Sequence, residues 1–578
     1  VSAVEVTARC ICCTVRALYL FTADADTEKD SDKVENITIA LVLLLAVVVS
    51  GTLTRLSPVA IPLPLVQIAL GALIAAVTGS GVELDPHFFF LLFLPPLLFL
   101  DGWRIPKEGL FRDKGVILEL ALGLVIFTVL GVGLLIHWMI PAIPLAVAFA
   151  LAAILSPTDP IAVSAIASRV PIPNRLMHIL EGESLLNDAS GLVCMRFAVA
   201  AALTGTFSLA EALGTFVWLA VGGLAIGFIT TFAVMRVKDF VSRKLGEEPG
   251  SQILISLLMP FGAYLLGEHL HCSGILAAVS AGVTMSFTEI RGRALALTRV
   301  RRSAVWDTVQ FALNGVIFVL LGEQLPRIAS GAAHVVTDTG HLHPVWLIAY
   351  VLVITVALGL LRLAWVWISL RFTLFRAARR GRTMMKPHWK LLVATSLAGV
   401  RGAITLAGIL TLPLTMNDGS PFPARDLVIF LAAGVIIVSL VAASISLPFL
   451  LKDLELPPDP HEHKQEDAAR IAAAEAAIRT IEKMQHEMSE GRVDADVYGD
   501  VGTRLMELYR RRIKGRSDVG DEAAEVRKIE EVDKRLRLAA LRAEREELFR
   551  LSRRRELPDD IARRLVREVD LAETRYNV

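Results

Sequence analysis

Residues 181–193 read EGESLLNDASGLV, and CMRFAVAAAL follows at 194–203. Three carboxylates, Glu181, Glu183 and Asp188, thus lead into a run that reads as the middle of a membrane helix. An ionisable side chain at the bilayer centre costs at least ~2.5 kcal/mol, so such residues are kept for pairing or for moving ions. At about 100° per residue, Glu183, Ser184, Asn187 and Asp188 share one arc of roughly 140°. One helix face then presents hard oxygen donors, which suit a small alkali cation better than a soft metal.

The rest of the chain agrees with a membrane reading. Of its 578 residues, 54% are hydrophobic and only 20% charged, with a mean hydropathy of +0.57. Apolar runs near the ~20 residues that cross a ~30 Å hydrocarbon core recur along it. About thirteen can be read, at 36–54, 59–78, 87–103, 115–139, 144–168, 177–203, 209–235, 251–268, 273–288, 304–323, 345–370, 389–413 and 426–450. A single soluble core cannot account for them, and a net charge of +1 gives no ground for a nucleic-acid partner. Loop charge tests the count. If the first helix starts outside, the inner loops and Arg55 hold about twenty-three Lys and Arg, and the outer loops about two, Arg327 and Arg425. That asymmetry predicts an outside N-terminus and a cytoplasmic C-terminus.

Composition changes after residue 450. ELPPDPHEHKQ (455–465) reads as a linker, and charged amphipathic helical patterns follow it. The expected organisation is a poorly ordered extension over 1–35, a transmembrane domain over 36–450 and a cytoplasmic helical tail over 451–578. The extension lacks a signal-peptide layout, because its apolar run is short and the acidic ADADTEKDSD follows. Cys10, Cys12, Cys13, Cys194 and Cys272 form neither a zinc spacing nor a disulfide framework.

Two further stretches interrupt the apolar pattern. In ILSPTDPIAVSAIAS (154–168), Pro157 and Pro160 bracket Thr158 and Asp159. Each proline removes a backbone donor and disfavours helix in the residue before it, so this segment is expected to break at membrane depth. In TSLAGVRGAITLAGIL (395–410), Gly399, Arg401 and Gly402 suggest a second break. The breaks fall in segments five and twelve, about seven apart, which fits inverted repeats that each bring one broken element to the midplane. Arg362 in GLLRLAW adds a buried cation that needs an acidic partner, for which Glu183 or a neighbouring carboxylate is expected.

SPTDPIAV, GESLLNDA and GVRGAI resemble the signature segments of the sodium/proton exchangers of the NhaP and mammalian NHE kind. FLPPLLFLDGW, HCSGILAAVSAGV and VIFVLLG add further matches. The resemblance covers about 36–450 and leaves 1–35 aside. It implies an all-α polytopic fold of the NhaA/NhaP type with crossed broken helices, assembled as a homodimer. Each protomer would have a dimerisation domain and an ion-carrying domain that moves like an elevator. Asp188 would carry cation or proton with Asn187 beside it. Ser184, Thr158, Asp159 and Glu183 would shape or ligate a Na+ site, Glu183 would pair with Arg362, and Arg401 would steady the crossed helices. Asn-Asp at 187–188, where the electrogenic branch has Asp-Asp, implies one-for-one, electroneutral exchange. Glu181 departs from the animal members, which have an aromatic there.

The mechanism expected is competition. A proton or a dehydrated cation can neutralise Asp188, but not both, and only the neutralised site crosses the low-dielectric barrier between inward- and outward-facing states. No cofactor is called for, and the cargo is Na+, with Li+ or K+ as alternatives, against H+. The setting is a bacterial inner membrane, with lipid as the other partner. A cation channel would need a continuous wet path. An intramembrane protease would need Asp159 and Asp188 to share a proton. A serine nucleophile at Ser184 lacks an intramembrane His, since His137 and His178 sit near segment ends. Glu119, Arg196 and Asp307 remain intramembrane charges that could pair structurally.

Overall fold

Within hydrocarbon the backbone polar groups must be satisfied internally, which favours helices over open strands. The computed structural model describes residues 28–57, 61–78, 86–105, 114–159, 174–205, 209–289, 295–338, 345–379, 389–451, 460–490, 495–517 and 521–577. Among the described residues the regular structure is helical, apart from an isolated bridge between Thr415 and Pro421. The chain divides into two compact units, Val1–Leu454 and Glu455–Val578.

In the first unit, α1 (Glu28–Leu56), α2 (Leu63–Thr78) and α3 (Pro86–Arg104) come first. The next segment is α4 (Lys114–Leu118), a π-helical turn (Glu119–Gly123) and α5 (Leu124–Met139). Then follow α6 (Leu145–Leu155), α7 (Asn174–Thr204), α8 (Leu209–Leu245), α9 (Pro249–His269), α10 (Gly274–Glu289), α11 (Ala296–Asp338) and α12 (Val345–Arg379). The unit closes with α13 (Trp389–Leu397), α14 (Ala403–Leu410) and α15 (Arg425–Leu451).

Every apolar segment read from the sequence falls on at least one of these helices. Among the described residues, eight helices are long and apolar enough to cross a membrane, and three shorter apolar ones accompany them. Several bounds differ from those read in the sequence. The helix α1 begins at Glu28, inside the stretch assigned to the extension, while residues 1–27 lie outside the described residues. The helix α11 runs far beyond 304–323 on both sides, because its added turns are amphipathic and carry no apolar run. Residues 160–173, which include Pro160 and the SRVPIP part of the loop, also lie outside the described residues.

The helices of this unit form two sets. In one, α2 packs on α11, and α3, α8 and α9 pack on α10. In the other, α5 and α7 pack on α6, while α12, α13 and α14 pack on α15. The sets meet where α11 lies against α15, α14 against α3 and α11, and α7 against α3 and α10. The α2–α11 crossing is close because glycines face backbone there. A Cβ on Gly71 would fall on the Val319 carbonyl, and one on Gly322 on the Ile68 carbonyl. Leu94, Leu98, Leu151, Ile154 and Leu427 are fully enclosed between the helices. Trp138, Ile229, Leu258 and Ile445 are more than half exposed, as apolar side chains can be where lipid replaces water.

The second unit comprises α16 (Pro460–Ser489), α17 (Ala495–Ser517), α18 (Asp521–Arg553) and α19 (Asp559–Asn577). Met506 and Ala562 are buried in it, and Arg545 joins α18 to Asp570 of α19 at 2.8 Å. Its surface carries helix-spaced ion pairs such as Arg537–Asp533 at 2.8 Å, which contribute little individually.

Candidate functional site

Two interrupted segments cross inside the first unit. The helix α6 stops at Leu155, before Pro157, and residues 156–159 are irregular. Between α13 and α14, residues 398–402 are likewise not helical. The interruptions satisfy one another's backbone. Asp159 N–H donates to the Val400 carbonyl at 2.7 Å, and Arg401 Nε donates to the Leu155 carbonyl at 2.9 Å, one of those left open by the end of α6. Arg401 Nη1 also donates to the Gly399 carbonyl, so this buried guanidinium is held by carbonyls of both breaks. Gly402 is required by contact, because a Cβ there would overlap the Asp159 carboxylate.

The helix α7 brings its polar face to this crossing. Glu183, Ser184, Asn187 and Asp188 are each 3% exposed or less. Asn187 Nδ2 donates to Thr158 Oγ1 at 3.1 Å, tying α7 to the first break, and its Oδ1 has no partner among the described residues. Ser184 Oγ lies 3.5 Å from Asp188 Oδ2, at the long limit for a hydrogen bond. One turn further, Ser190 Oγ donates to the Ala121 carbonyl at 2.8 Å, a group in the π-helical turn. Such turns displace backbone carbonyls from the regular helical ladder.

Two buried carboxylates on this face differ in their neutralisation. Glu183 accepts from Arg362 Nη1 at 2.5 Å and Nη2 at 2.8 Å, a bidentate pair whose side chains are 0% and 2% exposed. Arg362 Nε donates to the Thr395 carbonyl at 3.2 Å, which anchors α12 to α13. Among the described residues, Asp188 has no such cationic partner, and its side-chain hydrogen bond is to the Ser184 hydroxyl.

A small cavity of about 20 Å³ opens at the crossing, room for about one water-sized occupant. Thr158, Asp159, Ser184 and Asp188 line it, together with Asp101, Asn314, Gly402 and Thr405. Five of the residues singled out in the sequence, Thr158, Asp159, Ser184, Asp188 and Gly402, therefore meet at one void. Asn187, Arg362 and Arg401 are not among the residues that line it. Glu183, expected both as a ligand and as the partner of Arg362, has both oxygens on Arg362 and is not part of the wall. Asp101 and Asn314 were not singled out. Asp101 stands alone as a carboxylate at the end of the apolar run after Pro95 and Pro96, without the neighbouring carboxylates that drew attention to Asp188. Glu181 is half-buried.

The three other intramembrane charges do not pair with one another. Glu119 accepts from Ser369 Oγ at 2.9 Å, Asp307 pairs with Arg104, and Arg196 pairs with Glu268 at 3.0 Å.

Residues 39–453 match the family model described as the transmembrane sodium/hydrogen exchanger. An Escherichia coli K12 protein described as an uncharacterised Na(+)/H(+) exchanger, YjcE, is 43% identical over 92% of this chain and 96% of its own length. The sodium, potassium, lithium and rubidium/H(+) antiporter of Bacillus subtilis 168 is 39% identical over 89% of this chain and 74% of its own. Among solved structures, the sodium proton antiporter MjNhaP1 of Methanocaldococcus jannaschii superposes with a TM-score of 0.55 at 17% identity, over 72% of this chain and 99% of that one. That structural likeness concerns the fold.

Proposed function

The chain belongs to the sodium/hydrogen exchanger family, and from that premise we propose that it exchanges Na+ for H+ across a bacterial inner membrane with Asp188 as the shared carrier group. The protein is a transporter and not an enzyme. The observation that carries the reading is the contrast between neighbours on α7. Glu183 is buried and neutralised by a resident guanidinium, whereas Asp188 is similarly buried and, among the described residues, is hydrogen-bonded to a hydroxyl and paired with no cation. An uncompensated charge in that position is costly, so a mobile cation or a proton must neutralise it. Ser184 and Thr158 offer oxygens to a cation, and Asp159 stands in the same wall. Glu183, Arg362 and Arg401 hold the frame that keeps these groups in place.

The competition between cation and proton couples the fluxes without a chemical step. With one carrier carboxylate and Asn187 beside it, the exchange is one-for-one and electroneutral. About thirteen crossings, an outside N-terminus and a cytoplasmic tail follow from the loop charges. The working assembly is a homodimer in which the set of helices carrying Asp188 moves against the other. A second reading, exchange of K+ and Li+ as well as Na+, is supported by the range of ions in the name of the Bacillus subtilis relative.

Reconstituted proteoliposomes with an internal pH dye test the proposal. Pulses of Na+, Li+ or K+ are expected to move protons independently of a clamped voltage, and Asp188→Asn is expected to abolish the movement while the protein still inserts. Exchange that persists in Asp188→Asn would refute the assignment. Uncoupled, non-saturating flux would point to a channel.

A further inference from the structure

We propose that Arg196 and Glu268 form a latch that joins the Asp188-bearing helix to the other helix set and holds the outer side of the cavity shut; this rests on the alternating-access reading above. Arg196 lies on α7, about 12 Å beyond Asp188 at 1.5 Å per residue, toward the end that loop charge assigns to the outside. Its Nη1 donates to Glu268 Oε1 at 3.0 Å. Glu268 stands in the last turn of α9, and the same Oε1 accepts the backbone N–H of Gly274 at the start of α10, at 3.1 Å. The guanidinium also sits over the Phe90 ring of α3, 5.4 Å from its centroid. Phe90 in turn packs against Tyr264 of α9, with ring centroids 5.9 Å apart. One cation on the ion-bearing helix thus engages two helices of the opposite set directly, α9 and α3, and a third, α10, through Glu268.

Its position differs from that of three other ion pairs in this unit. Arg104–Asp307 joins α3 to α11 and Arg302–Glu289 joins α11 to α10, both inside one set. Glu183–Arg362 joins α7 to α12 inside the other. Arg196–Glu268 crosses between the sets, from α7 to α9. Sliding α7 by one helical turn, ~5 Å, would break it.

Exposure makes the pair breakable. The Arg196 and Glu268 side chains are 33% and 36% exposed, so both can be hydrated once parted. Glu183 and Arg362 are 0% and 2% exposed and could not separate without stranding two buried charges. The inner pair therefore travels as a unit, and the outer pair opens and closes.

The test uses right-side-out and everted membrane vesicles containing the full chain, and reads the half-saturating cation concentration on each face. Glu268→Gln frees the outward-open state, so the value at the outer face is expected to fall ~3- to 10-fold while the inner value does not fall. Exchanging the charges, Arg196→Glu with Glu268→Arg, is expected to return the ratio of the two values to within about twofold of the unaltered chain. Phe90→Leu removes the ring beneath the guanidinium and is expected to shift the ratio in the same direction by less. If the variants at 196 or 268 fail to reach the membrane, Phe90→Leu decides. Exchange that continues with an unmoved ratio in Glu268→Gln and Phe90→Leu overturns the latch alone. Absence of cation-driven proton movement in the unaltered chain overturns the antiport reading and the latch with it.

Discussion

Glu183 and Asp188 carry the same charge on the same buried helix face, and what separates them is a single guanidinium. The Glu183–Arg362 pair is bidentate and dry, so removing one member leaves the other uncompensated. Arg362→Met is therefore expected to lower stability by about 3–5 kcal/mol, read as an earlier thermal unfolding in detergent. Adding Glu183→Leu to it is expected to recover most of that loss, because replacing both members of a buried pair by apolar groups is often close to neutral. A double variant no more stable than Arg362→Met would show that the two charges are not an energetic unit. The pairing was legible in the sequence because a buried Arg needs an acid and few acids were available. Asp101 was not, because a carboxylate followed by Gly102, Trp103 and Arg104 reads as an interfacial residue. Only the packing of α3 against α14 brings it into the cavity wall.

At the scale of elements, the interruptions matter more than the helices. Proline and glycine marked both breaks in the sequence, since each has a local cause in lost donors or lost side chains. How the breaks meet has no local cause. The Asp159–Val400 and Arg401–Leu155 hydrogen bonds join residues more than two hundred positions apart and exist only once both segments are packed. Gly402 sits where they touch, and its hydrogen is all the space allows beside Asp159. Gly402→Ala is expected to displace that carboxylate and reduce exchange at least ~10-fold while the protein still inserts, a loss typical of a misplaced binding group. Proteoliposome flux set against the amount of folded protein checks it, and near-normal flux would mean that Asp159 can be reseated without loss. The π-helical turn at Glu119–Gly123 had no counterpart in the sequence reading. Its apolar residues suit a regular helix equally well, and the carbonyls it displaces are satisfied by Ser190 and Trp365 from distant helices.

For the molecule as a whole, the separation into two units predicts that the membrane unit works without the tail. Truncation after Leu454 is expected to leave exchange within about twofold of the full chain, as independent domains allow. A loss of tenfold or more in reconstituted vesicles would make the tail part of the transport cycle. The sequence by itself determined that the chain is helical, that it belongs in a membrane, and that one of its helices carries a carboxylate-rich face. Hydropathy, loop charge and helical spacing are properties of contiguous residues, and each has a direct physical consequence where it stands. Tertiary structure alone decided how the two breaks meet, that Asp101 and Asn314 complete the wall, and that Arg196 reaches across to Glu268. Those outcomes depend on distances between helices far apart in the chain, and in a low-dielectric interior such distances set the cost of every charge.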